Sequence, residues 1–100
     1  MPYKPIYSFD DSIEGKIVRF KNSVSLPNLT SQFGISKNHG EELHIPAGGL
    51  GLVYEVRGAT LFVGFGRDLK LAPSKGMTPA SFSATVQFYL DNSHLLEIEN

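Results

Sequence analysis

The stretch SFSATVQFYLD, Ser81 to Asp91, constrains the fold more than any other. Phe82, Ala84, Val86, Phe88 and Leu90 alternate with Ser83, Thr85, Gln87 and Tyr89. A β-strand sends successive side chains to opposite faces. This period of two therefore predicts a half-buried strand, with the apolar set inward. The β-branched and aromatic residues suit the same conformation.

Other segments read alike. GKIVRFK is a strand with Val18 and Phe20 inward, or with Ile17 inward if the register shifts by one. GLVYEVRGATLFVGFG reads as two strands joined at Arg57-Gly58-Ala59, with Gly58 supplying the turn. ELHI is a short strand ended by Pro46, and DLKLA another ended by Pro73. HLLEIEN is a final strand with Leu96 and Ile98 on one side. No segment carries a helical period, and Gly34 limits LTSQFGISKN to a single turn. Ten glycines and six prolines punctuate 100 residues. That is the pattern of one all-β sandwich or barrel domain over residues 1–100. The polar, turn-rich stretch from Asn22 to Glu41 reads as a long loop, where a rigid β scaffold places recognition.

The bulk chemistry narrows the function. The net charge is −1, so no electrostatic pull toward nucleic acid or an anionic membrane is expected. There is no cysteine, which excludes disulfides and thiolate metal sites. No apolar run approaches the roughly 20 residues that a membrane-spanning helix needs, so no membrane insertion is expected. The N-terminal MPYKPIYSFDD lacks the apolar core of a signal peptide.

Glycines 48, 49 and 51 in HIPAGGLGLVYEV raise phosphate binding. A phosphate loop needs a helix N-terminus behind its glycines, and here strand formers follow. The segment reads as a tight turn entering a strand, with Gly51 allowing a bulge or a close backbone approach. His39, His44 and His94 lack metal-ligand spacing, and His44 is expected to point outward between Leu43 and Ile45. Asp10-Asp11, Glu41-Glu42, Asp91, Glu97 and Glu99 read as solvated acids, and no serine sits in a nucleophile elbow. The expectation is a non-enzyme with no cofactor, no metal site and no catalytic residue. A small hydrolase would need Asp10, Asp11, His39 or His94 to converge. Lys16, Arg19 and Lys21 read as the solvated, charged face of a strand edge. Tyr54 and Glu55 are expected on opposite faces, so that an exposed Tyr54 would offer a ring for stacking. Asn28-Leu29-Thr30 is a glycosylation sequon, meaningful only in a eukaryotic secretory route.

IPAGGLGLVYEV, followed by GRDLKLAPSKGMTPASFSATVQFYLDNS, resembles the closing strands of bacterial chaperone–usher fimbrial subunits and adhesin lectin domains. The resemblance covers Ile45 to Ser93 and rests on a GxGL strand entry and a long final alternating strand. The cysteines usual in those subunits are absent here. The resemblance implies a mostly antiparallel, immunoglobulin-like β-sandwich at the cell surface or outside the cell. The function expected is that of an adhesin-like, lectin-type domain recognising a glycan or protein receptor through its loops. Asn28, Gln32, Lys37, Asn38 and His39, with Tyr54 as an aromatic face, are the expected contact residues. The alternative is a structural subunit of a surface fibre, virion or tail. Its SFSATVQFYL and HLLEIEN strands would pair with neighbouring subunits.

Overall fold

The computed structural model describes residues 3–7, 9–27, 42–78 and 81–99. The chain is all-β, and its strand pairs are antiparallel. The strands are β1 (Tyr3–Pro5), β2 (Ile17–Phe20), β3 (Val24–Pro27), β4 (Glu42–Ile45), β5 (Leu50–Arg57), β6 (Thr60–Phe65), β7 (Ala84–Tyr89) and β8 (Leu96–Glu99). Short 3₁₀ turns at Asp11–Ile13 and Leu90–Leu95 lie between them. One sheet has six strands in the order β1-β8-β2-β5-β6-β7, and β3 and β4 form a second sheet.

The alternation sorts side chains onto two faces of the large sheet. Val18, Phe20, Val53, Leu61, Val63, Phe65, Val86, Phe88, Leu96 and Ile98 share the inner face and are buried. The second sheet closes over them, with Ile45 buried and Val24, Leu26 and Leu43 packed against the cluster. The Phe20 ring anchors this core, 5.7 Å from Phe65 and 5.2 Å from Phe88 between centroids. Offset and edge contacts of this kind suit the charge distribution of aromatic rings.

The outer face carries a smaller cluster. Ile17, Leu52 and Phe82 are buried there, with Tyr3, Leu50, Tyr54 and Met77 packed around them. The connection between β6 and β7 reaches over this face. The N–H of Leu50 donates to the Leu69 carbonyl at 2.7 Å. Lys75 meets Glu99 at 2.6 Å, and Phe82 lies across Gly64. A Cβ at position 64 would stand 2.4 Å from that ring, so only glycine lets it seat.

The glycine-rich segment is a turn entering a strand, as its sequence predicts. Gly48 takes φ +85°, a conformation that favours glycine. The turn is tied to β2, where Phe20 exchanges backbone bonds with Gly48 and Gly49 at 2.8 and 2.9 Å. Gly51 provides the close approach, since a Cβ there would lie 2.4 Å from Val63 Cγ1. Gly58, at φ +59°, turns β5 into β6.

Six expectations need correction. The HLLEIEN strand is not open to a neighbouring subunit, because β8 is paired on both sides, between β1 and β2. DLKLA is a turn and not a strand: the Asp68 carboxylate accepts the Lys70 N–H at 2.9 Å and the Asp68 carbonyl accepts Leu71 N–H, which diverts the backbone from a ladder. The stretch from Asn22 to Glu41 is not all loop, because Val24–Pro27 forms β3 against β4. Phe82 and Leu90 leave the inner row. Phe82 precedes β7 and turns to the outer face, and Leu90 begins a 3₁₀ turn and is 38% exposed. Arg19 does not belong to an edge: β2 lies inside the sheet between β8 and β5, and Arg19 pairs with Glu97 at 2.6 Å beneath the Tyr3 ring. Tyr54 and Glu55 do not straddle the sheet. The register slips between Val53 and Glu55, so Tyr54 is an extra residue beside Glu55 on the outer face.

Candidate functional site

Asn28, Gln32, Lys37, Asn38 and His39 lie outside the described residues, as does LTSQFGISKN. Tyr54 is described, and its half-buried ring packs 5.3 Å from Phe82 and 6.1 Å from Phe62. Burial pushes its hydroxyl above the usual tyrosine range. A hydrogen bond with Thr85 pulls the other way, and the Glu55 charge adds to the rise. This tyrosine is a packing residue of the outer cluster.

A more open site lies where β3 ends beside β7. Leu26 and Pro27 of β3, Gln87 and Tyr89 of β7, and Asn92 of the following 3₁₀ turn line a cavity of about 160 Å³. Tyr89 is 54% exposed, so much of its ring faces solvent. Its hydroxyl donates to Gln87 Oε1 at 3.2 Å. The Gln87 amide N–H groups then remain as donors, and Asn92 adds an amide of both characters. None of the five lining residues is charged. An aromatic face, two amides and a small apolar wall make a surface for a neutral, ring-shaped or apolar group.

The sequence places Gln87 and Tyr89 on the polar row of their strand, but does not single them out. Leu26, Pro27 and Asn92 are likewise missed. The signal in hand was Tyr89 itself, a large aromatic on the water-facing row.

Among the described residues, the remaining reactive side chains do not gather. His44 is exposed, with Nδ1 3.1 Å from Ser25 Oγ, and His94 is exposed in the second 3₁₀ turn. Asp10 caps the first turn by accepting from Ser12, and the side-chain and backbone bonds from Ser12 hold its carboxyl below the usual range. Among the described residues no three His, Asp or Glu side chains come together as a metal site, and no helix is long and apolar enough to cross a membrane. Neither a scan against protein-family models nor searches of curated proteins and of solved structures found a match to this chain.

Proposed function

We propose that this chain is a non-enzymatic binding domain, adhesin-like in role, that recognises a glycan or protein receptor at a cell surface or outside the cell. The architecture proposed with it is an immunoglobulin-like sandwich, as the resemblance of Ile45 to Ser93 implies. The observation that carries the reading is the uncharged cavity with an exposed Tyr89 face between the Gln87 and Asn92 amides. Stacking a sugar ring on tyrosine uses that apolar face, and the amides answer the hydroxyls. Each such hydrogen bond contributes about 1 kcal/mol net, so single sites bind weakly and multivalent display raises avidity. Asn28, Gln32, Lys37, Asn38 and His39 are proposed as further contact residues.

The test is a glycan-array screen with the domain displayed multivalently, repeated with Tyr89→Ala, Asn38→Ala and His39→Ala. Selective binding that Tyr89→Ala abolishes supports the reading. Silence across the array from folded protein removes the glycan and leaves a protein receptor. The second reading is a subunit that assembles by strand pairing. It is favoured by β7, a six-residue strand that ends the large sheet. Concentration-dependent light scattering separates it from the first.

A further inference from the structure

We infer that the Glu99 carboxylate is an acid-sensitive clasp. Ionised, it holds the turn of residues 74–77 down on the outer face of the large sheet. Protonated, it lets that turn lift while the sheet beneath stays folded.

The clasp stands at the end of the seam between β2 and β8. Lys21 N–H donates to the Leu95 carbonyl at 2.9 Å, and Arg19 stands opposite Glu97. Two residues on, Ile17 comes level with Glu99. There the Ile17 N–H leaves the backbone ladder and donates to Glu99 Oε2 at 2.6 Å. The same oxygen receives Lys75 Nζ at 2.6 Å. One carboxylate oxygen thus joins β2, β8 and the connection between β6 and β7. Bonds to an ionised acceptor are the stronger kind, and a neutral carboxyl forfeits the attraction of the ammonium.

The turn is compact. Met77 N–H donates to the Ser74 carbonyl at 3.3 Å, and Gly76 takes φ +95°. Ser74, Lys75 and Gly76 are exposed, while Met77 packs against the cluster of Ile17, Leu52 and Phe82. Lys75 and Met77 share this one turn, so the bond that holds the lysine also seats the methionine. In sequence the turn lies between two buried residues, Pro73 and Phe82. Those roots confine the movement: Met77 leaves the cluster and Phe82 keeps its place across Gly64. Local openings of this kind cost less than global unfolding.

The charges around Glu99 fix the direction. Burial raises its carboxyl. The bonds from Lys75 and Ile17, with the charges of Lys75 and Lys16, outweigh that and hold the group below 4.5. On β8, Glu97 is paired with Arg19, whose guanidinium lies over the Tyr3 ring of β1. Tyr3 stands opposite Glu99, and Lys4 stands opposite Ile98 and so on the other face. The clasp is therefore closed at neutral pH. It opens as pH falls through the folded value, below 4.5.

Nuclear magnetic resonance of the whole chain, labelled at its methionine methyl groups, tests this from neutral pH into acid. The two methionines are Met1 and Met77, and ring current from the outer cluster marks Met77 when seated. The methyl groups of Leu61 and Val86 on the inner face report the fold. In wild type, the Met77 signal is expected to reach its unfolded-chain position in one step below pH 4.5, with Leu61 and Val86 unmoved. In Glu99→Gln and Lys75→Ala it is expected there already at neutral pH, with no acid step. Lys75→Ala keeps the Ile17 bond and decides the matter if Glu99→Gln does not fold. A wild-type Met77 signal that moves only together with Leu61 and Val86 overturns the local release. A seated Met77 at neutral pH in a folded variant, or an acid step retained in one, overturns Glu99 as the clasp.

Discussion

The two faces of the large sheet are closed by different means. The inner face holds a continuous apolar cluster, sealed by a second sheet with its own alternation. The outer face holds a small cluster around Ile17, Leu52 and Phe82 and is closed by the connection between β6 and β7. Fully burying a large apolar side chain contributes about 1.5–3 kcal/mol, and an exposed ion pair about 0–1 kcal/mol. Stability therefore resides on the inner face. The outer face depends on a few point contacts: Phe82 over Gly64, Met77, and Lys75 on Glu99. One sheet can thus have a face specified by pattern and a face specified by fit.

The sharpest way to break that contrast is to remove one ring from each face. Phe20→Ala empties the centre of the inner cluster and is expected to cost about 4–5 kcal/mol in urea unfolding. Phe82→Ala is expected near 3 kcal/mol, because a connection settles into a void more easily than two sheets do. Equal costs would mean that the outer face is as firmly built as the inner one.

Added methyl groups sharpen it further. Gly51→Ala puts a Cβ 2.4 Å from Val63 Cγ1 and 2.9 Å from Phe65 on the inner face. The expected loss is about 2–3 kcal/mol, since two strands must shift. Gly64→Ala meets Phe82 instead and is expected to cost about 1–2 kcal/mol. Adding Phe82→Leu to Gly64→Ala should cost less than the sum of the single changes. Strict additivity would show that the ring does not rest on that glycine.

The smallest effect is electrostatic. Burial tends to raise the Glu99 carboxyl. The hydrogen bond from Lys75, the Ile17 N–H and the charges of Lys75 and Lys16 outweigh it and hold the group below the ordinary 4.5. A carboxyl lowered on folding adds stability that is present above its unfolded value and fades as pH falls through its folded one. Lys75→Met is expected to lose under about 1 kcal/mol at neutral pH, allowing for solvent screening. The gap between variant and wild type should close in acid below pH 4.5. A gap that persists there would assign the loss to packing of the lysine stem.

The same contrast explains what could be read from the residues alone. Val18, Phe20, Val86, Phe88, Leu96 and Ile98 follow a period of two, and they form the inner face. Gly58 marks its turn because φ +59° favours that residue. Phe82 breaks the row it seems to begin, because the cleared space at Gly64 is a tertiary fact with no local sign. The bulge at Tyr54 is equally silent: an apolar run on a two-sided sheet looks the same with or without an extra residue. The cavity beside Tyr89 is assembled from β3, β7 and a 3₁₀ turn, and no spacing along the chain announces it.

The place of β8 also sets an order in time. This strand follows every other described strand in sequence, yet it lies inside the sheet between β1 and β2. During synthesis, β2 lacks one of its described neighbours and β1 its described partner until Leu96 to Glu99 emerge. Val18 and Phe20 wait with them, half-covered. Such long-range closure is slow and cooperative. Loss of those four final strand residues would accordingly open the sheet in its middle and release β1, where a comparable cut at an edge strand would only narrow it.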